Sequence, residues 1–415
     1  MKRISQEDRR VWVLFTAVVA LFVAFIPFSV LAFDVQYTYT LRTVALGGAI
    51  LGIISGVLGT FAVLRQQSLM GDALSHAALP GVTIAFLLVG RQLSALLIGA
   101  GIASWLGIRF IMSVTRTTRI KQDTAMGIVL ASWFALGIVL LSYIQGRPDA
   151  SQAGLDKFIF GQAAAIVRSD VELVSVVGLM AFIVLGLFWK EFKLITFDPE
   201  FARANGFPAG MLDTLLSTLI VVAIVLGLQL AGVILMVGML IAPAVAARQW
   251  TRKLEQMVLL SGAFGAFAGA VGAIISAVEV GLPTGPLMIV VASAIVLVSI
   301  CFAPERGLVW TLLKQAADRR RFAALNALRD LYRHAQNHGD PRYPTPEALV
   351  TGLRGNIARR ALHQLAREGL AVREGQSWRL TDAGIAQAEQ DTLPHWSEGN
   401  APLPAAQPAL MGAAD

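Results

Sequence analysis

Long apolar runs separated by short charged clusters make up the chain from Val11 to Phe302. A helix needs about 20 apolar residues to cross a hydrocarbon core. The runs divide into ten such stretches: Val11–Phe33, Leu41–Leu64, Leu74–Gly90, Leu93–Ser113, Thr124–Gly146, Val171–Trp189, Leu212–Gln229, Leu230–Ala247, Met257–Val280 and Pro283–Phe302. Leu212–Ala247 is too long for one span and has to bend back near Gln229. The Leu74 stretch is short and holds Pro80 and Gly81, so part of it is expected to be re-entrant. These delimitations predict about eight to ten transmembrane helices.

After Ala303 the pattern becomes that of a soluble domain. A basic stretch, Asp318–His338, carries Phe322, Leu325, Leu328 and Leu331 at helical spacing. Thr345 or Pro346 opens a second helix, Glu347–Leu353. A third, Asn356–Glu368, is expected to bury Ile357, Ala361, Leu362 and Leu365, to expose Arg359, Arg360 and Arg367, and to stop at Gly369. Leu370–Arg373 and Ser377–Leu380 read as strands around Glu374-Gly375-Gln376, and Thr381 caps a last helix. The expected fold is an all-α polytopic membrane protein over residues 1–302, followed by a small cytoplasmic winged-helix-like α+β domain over residues 303–391. Residues 392–415, rich in Pro and Ala, are expected to be disordered.

Composition supports the membrane reading: 15% of residues are charged and the mean hydropathy is +0.65, where a soluble chain carries roughly a quarter charged residues. Basic residues in short loops mark the cytoplasmic side. One side holds Lys2, Arg3, Arg9, Arg10, Arg65, Arg109, Arg116, Arg119, Lys121, Lys190, Lys193, Arg203, Arg248, Arg252 and Lys253; the other holds Arg42, Arg91, Arg147, Lys157 and Arg168. Both termini are therefore expected in the cytoplasm of a multi-pass plasma-membrane protein. The first span is too long for a signal-peptide core and lacks an A-x-A-like cleavage site, so it reads as an anchor. The single cysteine, Cys301, excludes an intramolecular disulfide and a thiolate cluster. Gly48, Gly52 and Gly56 form one stripe of small residues, and Gly265, Gly269 and Ala273 another. Close helix packing is their ordinary use.

Asp72 and His76, within Met70–Gly81, stand out against this background. Four residues apart, they share a helix face, and ionisable groups at membrane depth are expensive enough to mark function. A carboxylate with an imidazole suits first-row divalent ions such as manganese, zinc or iron. The same spacing also allows Asp72 to cap a helix starting at Ala73 and His76 to bond a neighbouring carbonyl.

Met70–Gly81, with Leu64-Arg65 upstream, resembles the signature of permeases from ABC importers for manganese, zinc and iron. Phe197-Asp198-Pro199-Glu200-Phe201-Ala202-Arg203-Ala204-Asn205-Gly206 is similar to that family's cytoplasmic loop. Gly232–Ala246, with Leu240-Ile241-Ala242-Pro243-Ala244, is similar to its late transmembrane motif, and Pro283-Thr284-Gly285-Pro286 to the start of its last span. Glu279 departs from the aspartate the family carries there. The resemblance implies a transport subunit and not an enzyme. It implies a dimer with a second permease subunit, identical or different, bound to an ABC ATPase subunit and fed by an extracytoplasmic metal-binding protein. It places Asp72 and His76 at the metal path. The chain has no G-x-x-x-x-G-K-[ST] phosphate loop, so ATP binds elsewhere. No permanently bound cofactor is expected; the divalent ion is cargo. Asp198 and Pro199 can start a short helix, with Glu200 in its first turn and Gly206 at its end. With the family in view, Asp198, Glu200, Arg203 and Gly206 are expected to couple to the ATPase.

The tail pattern resembles winged-helix transcription factors, including metal-responsive repressors. In such folds the third helix enters the major groove, which makes Arg354, Arg359, Arg360 and Arg367 candidate contacts to nucleic acid or to a protein partner. Basic tails also lie beside anionic lipid. A membrane-tethered metal-responsive regulator is thus the alternative function. His334 and His338, at i and i+4, could hold a metal; an exposed polar face is the ordinary reading of such a pair.

Overall fold

The computed structural model describes residues 6–33, 36–90, 92–145, 166–279, 282–304, 307–354 and 356–392. Lys2, Arg3, Arg91, Arg147, Lys157 and the stretch after Thr392, expected to be disordered, lie outside them, as do the side chains of Arg354 and Ile357. The chain divides into two units, Met1–Trp310 and Thr311–Asp415.

All the regular secondary structure among the first unit's described residues is helical. Its helices are α1 (Gln6–Phe33), α2 (Tyr39–Leu64), α3 (Ser68–Val89), α4 (Leu93–Thr117), α5 (Gln122–Gln145), α6 (Arg168–Leu187), α7 (Trp189–Phe197), α8 (Pro199–Ala204), α9 (Ala209–Ala231), α10 (Val233–Trp250), α11 (Leu254–Ser276) and α12 (Thr284–Phe302). Among the described residues nine helices are long and apolar enough to cross a membrane. The expected Leu230–Ala247 span corresponds to α10, whose 18 residues reach about 27 Å, just under a hydrocarbon core of about 30 Å. The bend expected near Gln229 falls at Gly232, whose φ of +80° suits a residue without Cβ.

Two expectations for the third span are corrected. It is a continuous 22-residue helix, not a re-entrant piece, and it starts at Ser68, well before Leu74. Pro80 removes one backbone donor, yet tertiary packing holds the helix together. Gly81 abuts the main chain of Gly99 on α4, and the Ser104 hydroxyl donates to the Leu74 carbonyl at 2.9 Å.

The centre of the bundle is the antiparallel contact of α2 with α11. Gly48 meets Gly269, Gly52 meets Gly265, and Gly56 meets Ser261; a Cβ on either glycine of the middle pair would overlap the other's carbonyl. The two small-residue stripes are thus one seam, built from both sides. The Ser261 hydroxyl donates to the Gly56 carbonyl at 2.6 Å across it. α1 lies outside this core, with only 6% of its apolar window buried.

The second unit holds α13 (Leu308–Asn337, whose first turn belongs to the first unit), β1 (Thr345–Pro346), α14 (Glu347–Arg354), α15 (Asn356–Arg367), β2 (Ala371–Glu374), β3 (Ser377–Leu380) and α16 (Asp382–Thr392). The strands pair antiparallel in the order β1-β3-β2. Trp378 is fully buried among Leu328, Leu331, Leu362 and Leu365. Thr345–Pro346 forms an edge strand where the sequence suggested only a helix start, and Phe322 is exposed, not core. Thr381 caps α16 through the Gly384 N–H at 3.1 Å.

Candidate functional site

Because α3 starts at Ser68, Asp72 lies inside the helix; the N-cap is Gln67, whose side chain makes no capping bond. The capping alternative for Asp72 is therefore excluded. Its carboxylate faces His76 instead, with Oδ1 3.4 Å from Nε2. The Asp72 side chain is 41% exposed and that of His76 20%. Phe134 of α5 meets the imidazole edge-to-face at 4.7 Å between ring centres. His76 Nδ1 is buried and has no hydrogen-bond partner. Pro80, one turn on, has no N–H to give the His76 carbonyl.

Buried polar atoms are normally paired. Six side-chain atoms break that rule among the described residues, and four belong to one short segment: Arg65 Nη1, Gln67 Oε1, Ser75 Oγ and His76 Nδ1. The α2–α3 junction thus gathers most of the bundle's unsatisfied polar atoms; Ser55 Oγ, in the middle of α2, is the other among the described residues.

Arg65, at the end of α2, forms an ion pair with Asp213 of α9. Arg116 of α4 reaches the other oxygen of Asp213 at 3.4 Å. Burial lowers the Arg65 pKa to about 10, so its charge is held against desolvation and depends on Asp213. A cavity of about 650 Å³ is lined by these three residues together with Gln67, Pro199 and Arg203. Sequence reading placed Arg116 only as a loop charge, and Arg65 as a loop charge just upstream of the family-like Met70–Gly81 stretch. The signal available for Asp213 was a lone carboxylate at the start of an apolar run.

α8 lines one side of that cavity through Pro199 and Arg203. Asp198 caps it, Oδ1 accepting from the Phe201 N–H at 2.8 Å, and Pro199 occupies the first helical position, where its missing N–H is harmless. At the other end the Phe207 N–H bonds to the Ala202 carbonyl and the Gly206 N–H to that of Arg203, with Gly206 at φ +80°. That is a Schellman stop, which glycine favours. Ala202 is fully buried, while Asp198, Glu200 and Arg203 are exposed. Phe197, Phe201 and Phe207 are exposed around the same helix, a feature the sequence reading missed. An apolar cluster on a short helix suits a protein contact.

In the second unit Arg359, Arg360 and Arg367 are exposed on α15 as expected. Arg359 is not a free cation, however: its Nε donates to Glu347 at 2.9 Å. Arg373 approaches the same carboxylate at 3.4 Å, and the Trp378 indole donates to it at 3.3 Å. Burial opposes the charge of Glu347, but Trp378, Arg359 and Arg373 outweigh it and hold the carboxyl below the usual range.

A bundle of hydrophobic helices with a glycine seam, a polar junction and a capped interhelical helix defines a multi-pass membrane protein. Residues 36–303 match the family described as ABC 3 transport family. The chain belongs to that family. It is 40% identical over 368 residues to the manganese transport system membrane protein MntC of Bacillus subtilis, covering 88% of this chain and 84% of the relative. It is 47% identical over 278 residues to the zinc transport system membrane protein TroC of Treponema pallidum, covering 67% and 93%. The Bacillus alignment spans more residues than the first unit holds, so it reaches into the second. Among solved structures, PsaBC from Streptococcus pneumoniae in complex with Fab is 32% identical, covering 69% of this chain and 97% of that one, with a TM-score of 0.58. The family match begins after α1, and the protein resides in the plasma membrane.

Proposed function

We propose that this chain is the permease subunit of an ATP-driven importer of divalent metal ions, manganese, zinc or iron, and that the ion passes between Asp72 and His76. The separation of the two donors carries this reading. Ligands about 2.1 Å from a metal, at a tetrahedral angle, lie about 3.4 Å apart, and Asp72 Oδ1 and His76 Nε2 are 3.4 Å apart. Two protein ligands hold an ion weakly, and a transport path needs an ion that leaves. Names of relatives favour manganese and zinc.

ATP is hydrolysed on a separate ABC ATPase subunit that docks on α8 through Phe197, Phe201 and Phe207, with Asp198 and Gly206 fixing the helix and Glu200 and Arg203 at its surface. Because Pro199 and Arg203 share a cavity with Arg65, Arg116 and Asp213, displacement of α8 bears on the ends of α2, α4 and α9. An extracytoplasmic metal-binding protein delivers the ion, a second permease subunit completes the path, and both termini are cytoplasmic. The order of elements in the second unit supports a winged-helix-like regulatory tail; the engagement of Arg359 argues against a nucleic-acid surface there.

Uptake of radioactive manganese and zinc by the assembled transporter tests the proposal. His76→Ala is expected to reduce uptake at least tenfold while leaving the assembled protein's melting temperature unchanged; normal uptake would sink the metal path. Glu200→Lys tests coupling separately: transport-dependent ATPase stimulation should fall, and unchanged stimulation and uptake would remove α8 from the mechanism.

A further inference from the structure

We propose that His334 and His338 form a binding site for a nitrogen-preferring divalent metal ion at the C-terminal end of α13. The two ring centres are 4.5 Å apart and the planes inclined at 55°. Two imidazoles bound to one ion with bonds of about 2.1 Å place their ring centres about 4.6 Å apart at a right angle and about 5.3 Å apart at a tetrahedral one. The pair sits at the right-angle end of that range.

The chemistry of the nitrogens agrees. His338 Nδ1 lies 2.9 Å from the His334 carbonyl. A carbonyl only accepts, so Nδ1 carries the proton and the Nε2 lone pair is left for a ligand. A ring N–H given to a backbone carbonyl is the usual support of a metal-binding histidine. The helix ends here, with Gly339 at φ +75°. The last carbonyls of a helix lack helical donors and form the negative end of its dipole, which favours a cation.

The rings are also held in place. Tyr343 stacks on His338 at 4.1 Å with the planes 10° from parallel, and its ring centre is 6.0 Å from that of His334. The Tyr343 N–H bonds to the Asp340 carbonyl at 2.9 Å, fixing the turn that brings the phenol back. Surface histidines ordinarily lose side-chain freedom when they bind; here, with His334 half-buried and His338 stacked, much of that ordering is present beforehand.

Among the described residues no group of three or more His, Cys, Asp or Glu assembles, so water completes the coordination and the ion exchanges readily. Two nitrogen donors and no carboxylate select zinc, copper, nickel or cobalt over manganese. Binding at this site does not depend on the α3 path. Its use, reporting the cytoplasmic level of an imported ion, rests on the proposed import function.

The full chain, purified in detergent, is titrated with zinc chloride against a chromophoric chelator. His334→Ala, His338→Ala and His338→Asn are each expected to weaken one zinc site at least tenfold. The Asn variant keeps a donor for the His334 carbonyl and separates ligation from helix capping. His76→Ala should leave this site intact, and manganese should bind it at least tenfold more weakly than zinc. Unchanged zinc affinity and stoichiometry in all three tail variants would overturn the proposal, as would manganese binding equal to zinc. Loss of uptake in His76→Ala, or its absence, bears only on the α3 path.

Discussion

The α2–α11 seam and the α2–α3 junction belong to consecutive stretches of one bundle and follow opposite rules. In the seam, main chain meets main chain, and the Ser261 hydroxyl is satisfied by a carbonyl; Ser55 Oγ, beside Gly56 on α2, is the lone unpartnered polar side-chain atom along that stretch among the described residues. In the junction, Arg65, Gln67, Ser75 and His76 each keep a buried polar atom without a partner. Desolvated polar groups are destabilising unless paired, so the junction is a place where stability is given up. The seam is the rigid frame against which such a segment can be held. Glycine at close helix contacts marks what must not move; under the proposed function, the unsatisfied polar atoms one helix away mark where the ion would pass.

The contrast can be broken from the seam side first. Gly52→Leu should prevent the bundle from closing, at a cost near the top of the about 1–3 kcal/mol range of overpacking, read as loss of folded protein on detergent extraction. Native yield and melting temperature would show the seam to be looser than the α2–α11 contact implies. Next comes Asp213→Ala, which leaves Arg65 buried and uncompensated. The full penalty for breaking a buried pair is about 3–5 kcal/mol; with Asp213 24% exposed, about 2 kcal/mol is expected from thermal unfolding. Asp213→Ala with Arg65→Met should recover most of it, because no unpaired charge then remains.

Asp72→Asn sharpens the site side. It keeps a polar group beside His76 but removes the charge, so uptake should fall several-fold, less than in His76→Ala, with stability changed by under about 0.5 kcal/mol. The smallest effect lies in the second unit. The Glu347 carboxyl is held below the usual range, so its contribution to stability is full above the ordinary glutamate range. It is lost as pH falls through the lowered value. The acid limb of the tail's unfolding profile should therefore flatten in Glu347→Gln; an identical profile would remove Glu347 from the account.

Much of the fold was legible before any tertiary contact. The span pattern located every long helix among the described residues of the first unit, because twenty apolar residues in a row have few other uses. α8 was legible for a different reason: Asp198, Pro199 and Gly206 act on backbone groups within a few residues, so their meaning is local. The start of α3 was misplaced because Ser68–Ala73 carries no strong cap and is polar enough to read as loop. The continuity of α3 through Pro80 was likewise missed, since it depends on α4.

The candidate site divides in the same way. Asp72 and His76 were visible as a pair one helical turn apart, and the tail histidines likewise, since i,i+4 geometry follows from helix pitch alone. Arg65 with Asp213 and Arg116 with Asp213 were not visible, because those partners are 148 and 97 residues apart. Neither was the exposure of Phe197, Phe201 and Phe207, which depends on what fails to pack over them. By itself the sequence determined which segments are helices, where α8 starts and stops, and which ionisable groups are costly at membrane depth, all consequences of bonding within a few residues. Only the tertiary structure decided that two glycine stripes are one seam, that Asp213 anchors Arg65, and that His76 keeps an unpaired nitrogen. Those outcomes depend on which surfaces meet, and a surface acquires a neighbour only when the chain has folded.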